Sequence, residues 1–281
     1  MIKTENLLEL SSDVVFKAFM TSDNTLEYKA LLLSEITTIP KEFFKNASYT
    51  SVEVTMEPFK TNVVVTAIDN NILKIEINNE YYKECVINNN FNYPSRTLAS
   101  DIEKDYEFED EIRYILINFN NFSLDKFKRL VTKFGVNDLK TNEIATDLWT
   151  GYFVNVALDS EECCNENGCL MDLLKIFSSK GIEDIRGGKI MDKEVKKVLD
   201  DALTELEKIS SDEKIVGLYD VEKRKRMIRK SMIETAKEEG IERGIEQGTL
   251  NVAKNMLNQG IDLETISKYT NLSIEEIEKL K

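Results

Sequence analysis

The spacing of apolar residues changes along the chain from a helical to a strand-like period. Apolar side chains recur at near-helical intervals from residues 12 to 36, which predicts an opening helical segment. Apolar and polar residues then alternate from Val52 to Met56, as in a half-buried strand. The run from Val63 to Ile68 is almost entirely apolar and largely β-branched, as in a strand covered on both faces. The chain is therefore expected to open with helices and to continue into a sheet.

A second alternating run, residues 73–78, follows the turn-forming triplet 69–71 and predicts a β-hairpin. With a three-residue turn, Val64 lies opposite Glu76. Because side chains alternate between the two faces of a strand, one face of the second strand carries polar groups. These groups are Lys74, Glu76 and Asn78.

Helical patterns dominate the rest of the sequence. After a helical-looking segment at 96–108, the apolar run 114–117 predicts one further central strand. From about residue 123 the pattern changes to helices with loops, and an amphipathic stripe runs through 191–206. These features predict a mixed α+β fold with a helical C-terminal region. The predicted divisions are a core at 1–122, a mostly helical continuation packed on it at 123–220, and the C-terminal helices at 221–281.

The C-terminal region predicts one long charged helix and two short ones. The long helix extends from residue 221 to Asn258 and contains glycines four residues apart. These are Gly240, Gly244 and Gly248. Such a stripe allows another helix to approach closely, whereas a fraying helix in a charged linker is the alternative. Asp262 and Ser273 are placed to cap the two short helices, which together have the size of a helix-turn-helix.

Two interpretations of this tail remain open. A helix-turn-helix suits DNA, but the last helix carries acids that phosphates repel, which favours packing or homo-oligomerisation through the C-terminal helices. The acids are Glu275, Glu276 and Glu278. The basic run KRKRMIRK at 223–230 is interpreted as a solvated helix face, with phosphate contact as the alternative.

The composition excludes several kinds of chemistry. The 281 residues include no histidine, which removes Ser-His-Asp, Cys-His and His-ligated zinc sites. The usual glycine-rich phosphate-binding motifs do not occur in the sequence. A net charge of −14 means that nucleic acid could be held only by a local basic patch or with the help of a metal.

The cysteines and the hydropathy indicate a reducing compartment. The vicinal pair at 163–164 is badly spaced for zinc, so all four cysteines are interpreted as reduced thiols. They are Cys85, Cys163, Cys164 and Cys169. No apolar run approaches the roughly 20 residues of a membrane span, and the first residues do not form a signal peptide. We therefore expect a cytoplasmic protein.

Three stretches of the chain carry the motifs of one known family. They are SSDVVFKAFM near the start, VVVTAIDNNILKIEINN across the hairpin, and AKEEGIERGIEQG with the residues that follow it. On these motifs the chain resembles the PD-(D/E)XK nuclease-like family of recombination-promoting (Rpn) nucleases and transposase-like proteins. The resemblance implies a restriction-endonuclease-like mixed sheet flanked by helices, a role in DNA recombination, and Mg²⁺-dependent hydrolysis of DNA.

The resemblance carries over only part of the family's metal site. Glu76 falls on the second acid and is the implied Mg²⁺ ligand, whereas Val64 falls on the first acid. Asn78 falls on the final Lys/Gln, and Lys74 could replace the missing base or phosphate contact. One carboxylate holds Mg²⁺ weakly, so we expect a nuclease-like protein with impaired cleavage. The alternatives are compensated catalysis, an inactive DNA-binding or oligomeric relative, and a purely structural interaction protein.

Overall fold

A computed structural model describes most of the chain and divides it into two compact units. The units are Met1–Asp220 and Val221–Lys281. The residues described are 7–56, 59–68, 71–78, 113–121, 129–138, 140–141, 143–156 and 168–280. The predicted helix at 96–108 and the cysteines at 85, 163 and 164 lie outside them.

The first helical segment is confirmed, with one interruption. It consists of α1 (Asp13–Thr21), a short 3₁₀ turn and α2 (Leu26–Thr37), and α3 (Lys41–Lys45) follows. Ser22 is extended (φ −71°, ψ 133°), and its side chain accepts a hydrogen bond from the Asn24 amide, which ends one helix and caps the next turn. The helical period therefore continues across a break that the spacing alone does not reveal.

Within the described residues, six strands form one mixed sheet in the order β1-β2-β3-β4-β6-β5. The strands are β1 (Thr50–Met56), β2 (Phe59–Ile68), β3 (Asn71–Asn78), β4 (Arg113–Asn120), β5 (Val131–Asn137) and β6 (Ile144–Asn155). The first three form an antiparallel meander, while β4 runs parallel to both β3 and β6. The predicted mixed α+β class and the strand at 114–117 are confirmed.

The helical expectation from residue 123 is wrong over β5 and β6. In β6 the aromatic Trp149 and Phe153 alternate with Tyr152 and Val154, which is the period of a strand. Among the described strands β5 lies at one end of the sheet, and its register with β6 shifts twice, at Gly135/Val136 and Val136/Asn137. Helices then resume with α4 (Gly168–Leu174), α5 (Ser179–Arg186) and α6 (Lys193–Ser211).

One face of the sheet packs against the helices. The Phe119 ring lies 5.4 Å from that of Phe16 in α1 and stacks 5.5 Å from that of Phe177. Ile117 and Leu206 are fully buried in the same apolar core. Burying side chains of this size supplies about 2 kcal/mol each, so the contact between this face and the helices stabilises the first unit.

Two charged residues are buried at the break between α1 and α2. Lys29 is 1% exposed. Its Nζ donates hydrogen bonds to the carbonyl oxygens of Met20 and Ser22, at 2.8 Å each. The same Nζ lies 4.0 Å from the centre of the Tyr49 ring. Burial lowers the pKa of Lys29 to about 8, although the negative charge of Asp23 acts to raise it. The lysine thus donates to two carbonyl groups at the break, where the regular α-helical hydrogen-bond pattern stops.

Glu205 of α6 contacts the other side of the same break. It accepts hydrogen bonds from Ser22 Oγ at 2.7 Å, Asn24 Nδ2 at 3.0 Å and Lys208 Nζ at 3.1 Å. Burial acts to raise the pKa of Glu205, but these hydrogen bonds outweigh it and lower the pKa below its usual value. The network ties α6 to the opening helices.

The C-terminal helices follow the predicted pattern. They are α7 (Glu213–Asn258), α8 (Leu263–Thr270) and α9 (Ile274–Glu278). Asp262 caps α8, and Ser273 forms a capping box with Glu276 at the start of α9. Ala253, Ile266 and Ile277 are fully buried and form a small separate core. Among the described residues, no helix is long and apolar enough to cross a membrane.

Candidate functional site

The hairpin between β2 and β3 sets the geometry of the predicted site. Ile68 pairs with Asn71, so two residues rather than three separate the paired positions. Val64 consequently pairs with Ile75, and its predicted pairing with Glu76 is wrong by one position. The Asp-Asn sequence between the strands suits a two-residue connection, which accounts for the shorter turn. When the pairing register of a strand shifts by one residue, its side chains change to the opposite face of the sheet relative to those of the partner strand.

Position 64 belongs to the helix-covered face of the sheet. Its partner Ile75 pairs in turn with Ile117, which is fully buried against the helices. An apolar residue suits this face, since a carboxylate there would lose its hydration. A side chain at position 64 would therefore not supply a second metal ligand beside Glu76.

Glu76 belongs to the opposite face, in register with a row of buried asparagines. Across the parallel β3–β4 pair, Glu76 is the partner of Asn118, and Asn78 is the partner of Asn120. Asn120 pairs in turn with Asn155 on β6. The exposed fractions of these three asparagines of β4 and β6 are 0%, 1% and 7%. The carboxyl ends of three adjacent parallel strands thus place one carboxylate and four amides on one face.

This asparagine row was not predicted from the sequence, although a signal for it exists. Asn118 and Asn120 alternate with apolar residues in the strand RYILINFN, and Asn120 Nδ2 donates to the Asn118 carbonyl at 3.3 Å. Polar side chains at alternate positions of a buried strand need hydrogen-bonding partners, so they mark a polar site or a structural network.

The predicted site residues of β3 do share one face. Lys74 pairs with Val65 on one side and with Leu116 on the other, two positions before Glu76. The strand alternation places Asn78 on the same face. Lys74, Glu76 and Asn78 thus occupy alternate positions of β3, on a face to which β2 contributes Val63 and Val65.

The described strands bring no second carboxylate close to Glu76. Glu53 pairs with Asn62 and so lies on the helix-covered face with Val64. Asp147 lies beyond Trp149, where the β6 segment paired with β4 begins, in a stretch where the β5–β6 register shifts. Trp149 is four positions from Phe153, the register neighbour of Asn118. Four positions along a strand already span about 13 Å, far more than the roughly 4–5 Å over which two carboxylates share an ion.

A Mg²⁺ ion does not fit the residues that the structure describes. Hard divalent cations take carboxylate and carbonyl oxygens, and a catalytic Mg²⁺ is held by at least one or two carboxylates. Within the described ranges, no group of three or more acidic or cysteine side chains is arranged to hold a metal ion. Cys169 offers no thiolate either, because burial and nearby carboxylates raise its pKa to about 11.

The second candidate site is the helical end of the chain. The small core of Ala253, Ile266 and Ile277 holds α8 and α9 against the end of α7. Glu276 is engaged in its capping box, accepting from the Ser273 amide at 2.8 Å. Tyr269 is 73% exposed beside Lys268 at the end of α8. The exposed polar surface of α8 is therefore less acidic than that of α9.

Comparison with known proteins identifies this same segment. Residues 246–281 match the family described as the Rpn/YhgA-like nuclease family, C-terminal HTH domain. Neither a curated protein nor a solved structure matches the chain. The match begins within α7 and includes both short helices, so it covers the three helical segments that share the small core. The likeness to the Rpn/YhgA-like nuclease family is therefore shown for residues 246–281, which match its C-terminal HTH domain.

Proposed function

We propose that this protein is a DNA-binding relative of the Rpn/YhgA-like nucleases that does not hydrolyse DNA by a Mg²⁺-dependent mechanism. The observation that carries the proposal is the register of the β2–β3 hairpin, which leaves Glu76 as the sole carboxylate at the described strand ends on its face. Hydrolysis by a divalent ion needs water activation and stabilisation of the leaving group, and one carboxylate with amides supplies neither.

DNA binding is assigned to the HTH domain rather than to the sheet. Residues 246–281 contain four lysines and six carboxylates, so few phosphate contacts are available and the affinity is expected to be low. Lys254 and Lys268 are both exposed. The acids of α9 disfavour its insertion into a groove, so we assign phosphate contact to these two lysines of α7 and α8.

Cleavage is tested with the purified full-length chain, supercoiled plasmid and Mg²⁺ or Mn²⁺. Plasmid that stays intact at a molar excess of protein is the expected result. Metal-dependent nicking that disappears in Glu76→Gln would reject the non-cleaving proposal and support an active nuclease with a ligand from another part of the chain.

Binding is tested by fluorescence anisotropy with a labelled duplex over a range of salt concentrations. Each phosphate contact contributes about −0.9 to the slope of log K against log salt, so four lysines allow a slope no steeper than about −4. The double variant Lys254→Ala/Lys268→Ala is expected to bind about tenfold more weakly. The matched control Lys214→Ala/Lys237→Ala removes two exposed lysines outside 246–281 and should bind like the parent. Equal loss in both variants would indicate only a general charge effect.

A further inference from the structure

The charged residues of α7 are sorted onto two sides of the helix. At 3.6 residues per turn, each residue is rotated about 100° from the one before it, which gives every side chain a direction around the helix axis. Residues 221–258, the part of α7 in the second unit, carry nine basic and six acidic side chains. Eight of the bases lie within about 160° of the circumference, and five of the acids lie within about 140° on the other side. The exceptions are Arg224 and Glu222.

Four of the bases form a narrow row along α7 that ends in the HTH domain. Relative to Lys225, the directions of Arg229, Arg243 and Lys254 are rotated by about 40°, 0° and 20°. We call these four residues the basic row. All four are exposed. The row therefore continues the HTH domain's Lys254 along the helix as a line of positive charge.

The short helices α8 and α9 leave the basic row open. Ala253, which is buried in the small core with them, precedes Lys254 by one residue and so points about 100° away from it. Met256, which packs against the same core, points about 160° away from Lys254. The helix thus packs against α8 and α9 with a different side from the one that carries the row.

The arrangement of the row differs from that of a helix face that only contacts water. Solvated helices gain from acids and bases three or four residues apart, whereas like charges at this spacing destabilise the helix. Lys225 and Arg229 are four residues apart and have the same sign. Arg243 does lie 3.7 Å from Glu239, but the two side chains are 81% and 59% exposed, so this pair is weak and leaves the arginine accessible. Such a row is stabilised by an anionic partner.

The length of the row fits duplex DNA. Lys225 and Lys254 are 29 residues apart, which is about 44 Å along the helix axis. One turn of a DNA duplex is about 34–36 Å long, so a row of this length along the duplex crosses both phosphate strands. The five acids on the other side of the helix point away from such a duplex. A chain with a net charge of −14 can bind a polyanion only through a local surface of this kind.

We propose that the basic row is a second phosphate-binding surface, which extends the contact of the HTH domain with duplex DNA along α7. This inference rests on the proposed function, because Lys254 has to lie at the DNA for the row to follow the same duplex. Phosphate contacts fix position without reading bases, so the row adds affinity rather than sequence preference. Its three members outside the HTH domain steepen the salt slope from the limit of about −4 set by the four lysines of 246–281 to about −6.

The row is tested on the full-length chain by fluorescence anisotropy with a labelled duplex of about 24 base pairs, which is longer than the row at about 3.4 Å per pair. The variant Lys225→Gln/Arg229→Gln/Arg243→Gln is expected to bind at least tenfold more weakly at low salt, with a slope shallower by about 3. Glutamine is as good a helix former as lysine or arginine, and far-UV circular dichroism checks that α7 is retained.

The matched control is Lys193→Gln/Lys197→Gln/Arg224→Gln, which also removes three exposed positive charges from helices but none from the row. This control should bind like the parent. Equal losses in the row variant and the control would reduce the effect to general charge and overturn the row.

The remaining outcomes separate the row from the HTH domain. A row variant that binds like the parent, while Lys254→Ala/Lys268→Ala binds more weakly, would overturn the row and leave the proposed function standing. If both variants bind like the parent, or the parent does not bind the duplex, DNA binding by this region is rejected altogether. Tighter binding of the parent to vesicles of equimolar phosphatidylcholine and phosphatidylserine than to the duplex would assign the row to a membrane surface and would equally overturn the proposal.

Discussion

Val64 and Ile75 face each other across the β2–β3 hairpin, and Glu76 therefore lies on the other side of the sheet from position 64. The family resemblance places an acid of a metal site at position 64. The register instead makes this a position on the core face, in line with Ile117. On this register, position 64 and Glu76 do not share a face of the sheet.

The register predicts opposite results for acids at two adjacent positions. Val64→Asp is expected to destabilise the protein by about 3 kcal/mol or more without creating a metal site, because it adds a carboxylate to the core face. Val63→Asp adds the carboxylate to the face of Glu76 and should confer Mn²⁺ binding. Isothermal titration calorimetry with Mn²⁺ and urea unfolding measure the two effects. Metal binding by Val64→Asp alone would contradict the pairing of Val64 with Ile75.

The buried Lys29 should make stability depend on pH above 8. Its pKa of about 8 in the folded state lies below the usual 10.5, so the unfolded chain binds more protons between these values. The stability of the parent should therefore rise relative to that of Lys29→Met as the pH increases from 8 to 10, at up to about 1.4 kcal/mol per pH unit. Urea unfolding of both proteins at several pH values measures the difference. A difference that falls with pH would have the wrong sign.

Glu205 should contribute stability that acid removes. Its folded-state pKa is lowered, so the contribution is complete above the unfolded pKa and disappears as the pH falls through the folded pKa. Glu205→Gln is expected to cost about 1–3 kcal/mol at pH 7 and much less near pH 3. The exposed Glu213→Gln is the control and should change little at either pH. Thermal unfolding at both pH values distinguishes the two variants.

Gly181 should tolerate no side chain. An added Cβ would lie 2.1 Å from the carbonyl oxygen of Lys175, and the Gly181 amide donates to Ser178 Oγ at the start of α5. Gly181→Ala is expected to cost about 2 kcal/mol or more, because backbone must move. Gly217→Ala, in an open stretch of α7, should be neutral or stabilise by up to about 1 kcal/mol. Equal effects in chemical denaturation would show that the close approach at Gly181 is absent.

The sequence predicted the elements more accurately than their register. Periodicity identified the opening helices, the meander and both capped helices of the tail, since these depend on local spacing. Periodicity did not distinguish a two-residue from a three-residue connection between the strands of the hairpin. The difference of one residue in length sets the register, and the register decides which β2 positions share a face with Glu76.

Strands β5 and β6 were missed because tertiary pairing determines them. In β5 the apolar Phe134 and Val136 alternate with Lys133, Gly135 and Asn137, but the run is short and contains a glycine, so its strand signal is weak. Its neighbour β6 supplies the backbone partners, so the strand exists through pairing rather than through propensity. The asparagine row could have been found from the alternation of Asn118 and Asn120, but its proximity to Glu76 required the parallel pairing of β3 with β4.

The double register shift at the end of β5 also affects how the protein behaves when it is concentrated. Among the described strands β5 forms one border of the sheet, and a border strand can be a template to which another chain adds by backbone hydrogen bonding. The irregular step at Gly135–Asn137 bends this edge, and the exposed Lys133 adds charge to it. Strand-by-strand growth into fibrils along β5 is thereby disfavoured, and crowding should leave this border of the fold solvated.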